Sequence, residues 1–167
     1  LMGLAISVKE YLERNHIRFE LLEHRYCEGS YNTACVAKIP EQSLAKGVVF
    51  RDEDLHYTLV VLPSRSKVKR HTLNEIFDRK LVLADEDELD NLFRDCSHGA
   101  IPALGQAYDL NVIWEDDLLR NDKIYIEAGD HRHLIQLNKK EFRLLMASSM
   151  HDHISASTRK GSIGNAA

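Results

Sequence analysis

The chain has 167 residues, 44% of them hydrophobic and 29% charged, the size and balance of one globular domain with a core of its own. With only 8 Gly and 3 Pro it is neither collagen-like nor wholly disordered. Its 26 acidic residues outnumber the 22 basic ones, and the net charge of −4 argues against a protein that grips nucleic acid over its whole surface, so any polyanion must be met locally.

Ser7 and Glu10 have the spacing of a capping box, and Val8, Tyr11 and Leu12 continue as an apolar stripe, which predicts a helix to about Asn15. Ile17, Phe19 and Leu21 alternate with polar positions as a strand does, closed by His24. Asn32 or Thr33 caps a short helix that stops near Pro40. The run Ser43–Arg51 is short and β-branched and reads as a buried strand; the acidic turn Asp52-Glu53-Asp54 then returns it as Tyr57–Leu62 in a hairpin. A basic stretch follows, and Thr72 with Glu75 predicts a second capping box; Asp85 opens an acidic helix. The stretch Ser97–Gly105, with two Gly and a Pro, reads as an ordered loop. Three strands come next, at Val112–Trp114, Lys123–Glu127 and His133–Leu137, before a helix capped by Asn138. Strands mixed irregularly with short helices give the α+β class: one domain over residues 1–146, then a disordered polar tail over 147–167.

Lys46 is the first position that plain packing rules do not explain, because a lysine inside an apolar strand is costly unless its ammonium meets an anion or snorkels to an edge. Gly47 beside it removes a side chain and lets a substrate come close. The Gly99–Gly105 loop has the composition to turn peptide N–H groups into a pocket, although a plain connecting turn has it too. Gly129-Asp130-His131 places a histidine at the turn between two strands. His131-x-His133 has no third ligand at telling spacing, so no metal is indicated, and His151-x-His153 reads as solvated. Arg65, Lys67, Lys69 and Arg70 form the one dense basic cluster, either a solvated loop or a phosphate-backbone contact. Cys27, Cys35 and Cys96 are odd in number and share no CxxC spacing, which fits a reducing cytosol better than a disulfide framework. The start of the chain lacks the pattern of a signal peptide, and no apolar run nears the ~18 residues of a membrane helix.

Taken in order, these segments resemble the YbaK/EbsC-type aminoacyl-tRNA deacylases, which are similar to the editing domain inserted in bacterial prolyl-tRNA synthetases. The resemblance is carried by Tyr11-Leu12-Glu13 with Phe19-Glu20-Leu21 and His24, by Leu44-Ala45-Lys46 with Val48-Val49-Phe50, and by Leu59–Pro63. It continues through Leu83-Ala84 with Glu88-Leu89, Gly99-Ala100-Ile101 with Leu104-Gly105, and Ala128–His131. It implies a mixed sheet curled into a partly open barrel with flanking short helices, no metal or other cofactor, and hydrolysis of an amino acid wrongly attached to tRNA. It further implies that Lys46 contacts the 3′-terminal nucleotide, that the loop at Gly99 supplies N–H groups to the scissile carbonyl, and that His131 belongs to the same site. Gly47, Ala100, Pro102, Ala103 and Gly129 would line the substrate. The partners implied are the 3′ end of a mischarged tRNA and an aminoacyl-tRNA synthetase, in the cytoplasm and away from membranes. Two departures from the family pattern are Ala103, where a proline is usual, and Gly47, where threonine is frequent; both are expected to alter the pocket wall. A non-catalytic module that binds an aminoacylated or nucleotide ligand is the alternative.

Overall fold

In the computed structural model, which describes residues 3–158, the elements run α1 (Ile6–Arg14), β1 (Glu20–Glu23), α2 (Ser30–Ala37), β2 (Leu44–Arg51), β3 (Tyr57–Pro63) and β4 (Ser66–Val68). There follow α3 (Arg70–Phe77), β5 (Val82–Leu83), α4 (Glu86–Leu92), β6 (Asn111–Glu115), β7 (Lys123–Glu127), β8 (His133–Asn138), α5 (Lys139–Leu145), β9 (Met150–Asp152) and β10 (Ser155–Ser157). Most of the strands form one mixed sheet in the order β1-β8-β7-β2-β3-β6-β9, with β5 attached to β2; β4 and β10 pair separately. The end strands β1 and β9 are not neighbours in this order, so the sheet is not a closed barrel.

The apolar run of β3 is buried along most of its length because both faces of the sheet are covered. On one face Ala45, Val49, Leu59 and Val61 pack with Val8 and Leu12 of α1 and with Phe142 and Leu145 of α5. On the other, Phe50, Val60 and Leu62 meet Leu73 of α3, while Leu44, Tyr125 and Leu134 meet Ala34 of α2. By strand alternation Lys46 belongs to this second face, on the strand that carries both helices' packing partners. The hairpin turn is locked by Asp52, whose carboxylate accepts the N–H groups of His56 and Asp54 and the Arg79 guanidinium. Those bonds, the His56 N–H foremost, hold its carboxyl well below the usual carboxylate range.

Several local readings change in the fold. Helix α1 has Ala5 at its N-cap with no side-chain bond, because the Ser7 N–H donates instead to the distant Asp95 carboxylate at 2.8 Å. The box at Thr72 and Glu75 does not form either: α3 starts earlier, after Lys69, and Glu75 pairs with His71 at 3.0 Å. Helix α2 begins at Ser30, before Asn32, with Gly29 at the N-cap and the Thr33 hydroxyl donating back to the Gly29 carbonyl. The box at Asp85 and Glu88 is present as the spacing predicts.

The largest correction concerns the expected tail from residue 147. Residues 150–152 add β9 in parallel to β6, and 155–157 pair as β10 with β4. Ile154 is fully buried in the core beside Phe50 and Leu73, and its N–H donates to the fully buried Glu115 carboxylate. His153 and His151, far from being free in solvent, lie 2.7 Å from Glu115 and 2.6 Å from Asp116. Long-range histidine–carboxylate contacts and one apolar anchor order a segment whose composition is polar. Residues 159–167 of that expected tail lie outside the described residues. Ile154→Ala should therefore cost about 2–5 kcal/mol in urea unfolding; a change under about 0.5 kcal/mol, typical of surface positions, would show that the arm does not dock.

Candidate functional site

The site arises where two strands part. β2 and β7 pair in parallel for only two positions, Leu44↔Tyr125 and Ala45↔Ile126, and then diverge, with Lys46 and Gly47 on one side and Glu127 on the other. Backbone direction alternates along β2. The Leu44 carbonyl accepts from Ser64 on the β3 side, whereas the Val49 carbonyl accepts from Ala84 on the β5 side. Gly47, in phase with Val49, therefore aims its N–H and C=O at the gap that β7 has left.

A cavity of about 190 Å³ occupies this gap, lined by Lys46, Gly47, Gly99, Glu127 and His131 together with residues of α2. Lys46 is partly buried and has no carboxylate partner among the described residues. Burial, and then the nearby Lys67 charge, push its pKa below the ordinary lysine value. Gly29 and Ser30, at the start of α2, bring the positive end of a helix to the same cavity. An anion is the occupant that this combination favours.

The opposite wall is a pair of loops tied together. The Glu127 carboxylate accepts N–H groups from Gly129, Asp130 and His131 at 3.0–3.2 Å, which folds the β7–β8 turn around it. His131 is buried, with a φ of +61°, and its Nε2 lies 2.6 Å from the His98 carbonyl oxygen. A carbonyl only accepts, so Nε2 carries the proton. The Ser97 N–H donates to the Gly129 carbonyl at 2.8 Å, completing the tie. Gly99 sits against the His131 ring with a φ of +77°, a conformation that favours glycine, and its N–H has no partner among the described residues.

Of the residues singled out in the sequence, Lys46, Gly47, Gly99 and His131 line one cavity, whereas Ala100, Pro102, Ala103 and Gly129 do not. Ala100 is buried and its N–H donates to the Ser97 carbonyl, so it is not free to meet a substrate. Ala103 is fully buried in the core, where it faces neither solvent nor cavity, and Pro102 is buried beside it. A Cβ on Gly129 would lie 3.0 Å from Ala5 and 3.1 Å from the Cys96 sulfur, so this glycine serves close packing. A Cβ on Gly47 would lie 2.8 Å from Leu59 in the core. Neither departure from the family pattern thus presents its side-chain position to the cavity. Arg65 in the turn before β4, Lys67 on β4, Lys69 at the N-cap of α3 and Arg70 at its start are exposed, outside the cavity.

Sequence reasoning missed Glu127 and the α2 residues Ser30 and Thr33, which also line the cavity. The available signal for Glu127 was a carboxylate ending the apolar strand Ile124-Tyr125-Ile126 just before Ala128-Gly129.

A model of the aminoacyl-tRNA editing domain family matches residues 29–145, well over half of the chain, and the chain belongs to that family. The match spans the cavity-lining residues from Gly29 to Leu134. No curated protein matches it. Among solved structures it is similar to APE2540, described as hypothetical, at 18% identity over 90% of this chain and 99% of that one, with a TM-score of 0.78. It is equally similar to a protein described as a proposed trans-editing enzyme for prolyl tRNA synthetase, at 18% identity over 94% and 99% of the two chains and a TM-score of 0.78. A proposed signal transduction protein from Marinobacter aquaeolei VT8 matches at 15% identity and a TM-score of 0.75, over 92% of this chain but 31% of that one. At such identities the likeness is one of fold.

Cys96, close to this wall, is a poor nucleophile: burial foremost pushes its thiol up to about 12, with the Tyr108 hydroxyl 3.2 Å away. Iodoacetamide at pH 8 should label exposed Cys35 roughly a hundredfold faster than Cys96, followed by mass spectrometry. Equal rates would mean that Cys96 forms a thiolate.

Proposed function

We propose that this chain is a trans-acting deacylase that removes a wrongly attached amino acid from tRNA. The convergence of Lys46, Gly99 and His131 on one cavity, with Lys46 unpaired, carries this reading. Lys46 and the first turn of α2 hold the phosphate of the 3′-terminal nucleotide. The N–H groups of Gly99 and Gly47 face the ester carbonyl and stabilise the oxyanion, a role typically worth about 10²–10³ in rate per donor. His131 acts as a positioning residue, because its Nε2–H holds the His98 carbonyl and with it the Gly99 loop.

Water adds to the carbonyl carbon, the bond from that carbon to the ribose oxygen breaks, and the ribose oxygen takes up the proton. The ester is already activated, so positioning a water or a ribose hydroxyl supplies much of the acceleration without a protein nucleophile. This reading calls on no metal or cofactor. Outside the cavity, Arg65, Lys67, Lys69 and Arg70 guide the acceptor stem, a role supported by Lys67 being near enough to Lys46 for its charge to be felt there. The synthetase that makes the error is the partner such an activity serves, and the cytoplasm is where the two meet.

The test is deacylation of alanyl, cysteinyl and seryl esters of tRNA by the unaltered protein and by Lys46→Ala. Whichever ester is cut, the substitution should lower kcat/KM by on the order of tenfold to a hundredfold. Rates that Lys46→Ala leaves unchanged would overturn the reading. Unaltered protein working only at the uncatalysed rate would favour a module that binds without cutting.

A further inference from the structure

The cavity contains two opposite charges that do not neutralise each other. Lys46 and Glu127 both line it, yet no ion pair joins them. One oxygen of Glu127, Oε1, is committed to the three N–H groups of Gly129, Asp130 and His131. The other, Oε2, makes no hydrogen bond among the described residues. A carboxylate fixed by its own turn and left with a free oxygen in a partly enclosed cavity is built to receive a cation. A cavity holding a separated ammonium and carboxylate matches a ligand that carries an anion and a cation at two points.

We propose that Glu127 binds the α-ammonium of the aminoacyl group, while Lys46 holds the nucleotide phosphate. This inference rests on the aminoacyl-tRNA reading above and names the feature by which the substrate is oriented. An α-amino group titrates near 7.7–8.0 and is largely protonated at neutral pH. Held by Glu127 on one side, with the phosphate held by Lys46 on the other, the ester between them is set across the gap that the Gly47 and Gly99 N–H groups face. The ligand class follows: an ester with a free α-amine, as opposed to an N-blocked aminoacyl or peptidyl ester.

The test is calorimetric binding of 3′-alanylamino-3′-deoxyadenosine 5′-phosphate, a non-hydrolysable analogue, and of its N-acetylated form, to the unaltered protein and to Glu127→Gln. The glutamine keeps a carbonyl oxygen for the three N–H groups and replaces the second, charged oxygen with an NH2 donor that cannot accept from an ammonium. The unaltered protein should prefer the free amine by on the order of tenfold or more, and Glu127→Gln should erase that preference while binding the N-acetyl analogue as before. Equal affinity of the unaltered protein for both analogues would overturn the inference, as would a Glu127→Gln variant that weakens both equally, the mark of a merely structural role. Deacylation of the alanyl, cysteinyl and seryl esters of tRNA, measured in parallel, reports the enzymatic reading separately. Cleavage without amine preference sinks the Glu127 assignment alone, and amine preference without cleavage sinks the hydrolase alone.

Discussion

The parallel ladder between β2 and β7 is only two residues long, and the site exists because it stops there. A longer ladder would join the Gly47 peptide to the end of β7 and fill the gap with sheet hydrogen bonds. By ending after Ala45 and Ile126, the ladder leaves unpaired peptide groups in a partly enclosed space and puts the Lys46 ammonium beside them. A charge so placed is expensive for the fold, and the fall in the Lys46 pKa is the direct expression of that expense. Among the described residues no carboxylate pairs with it, Glu127 across the cavity being turned to its own peptide N–H groups, so the Lys46 side of the cavity favours an anionic group.

The rest of the site is arranged to keep the opposite wall rigid. Glu127 gathers three peptide N–H groups, His131 is fastened to the His98 carbonyl, and the Ser97 N–H to the Gly129 carbonyl. These bonds link the β7–β8 turn to the 97–100 loop, so Gly99 is placed by the sheet even though it belongs to a loop. Close packing of Gly129 on Ala5 and Cys96 ties the same turn to the approach of α1. Pre-organisation of this kind is what a hydrogen-bonding role toward a developing charge requires.

The parts that could be read from the sequence were those decided locally. β2, β3, β7 and β8 are apolar runs buried by the sheet they make, and Asp85 caps α4 with a partner three residues away. Lys46 stood out because a charge inside such a run is costly unless it snorkels to an edge or meets an anion. What failed was decided by distant groups. Asp95 takes the Ser7 N–H that a capping box would have used, and Asp116 and Glu115 hold His151 of β9 and His153 just after it in a segment that is polar by composition. Ala103 read as pocket because the family resemblance puts a substrate-lining residue there, yet the loop turns that position into the core. Glu127 escaped notice because a carboxylate at a strand end is ordinarily solvated, and only the turn that wraps it makes it part of a site.

The central claim is that Lys46 is an uncompensated cation waiting for a phosphate, and nitrogen-detected NMR of its side-chain ammonium measures this directly. In the free protein its pKa should lie below the ordinary lysine value, and it should rise when 3′-alanylamino-3′-deoxyadenosine 5′-phosphate is added, since a bound anion favours the charged form. An ordinary value in the free protein that the analogue leaves unchanged would contradict the account.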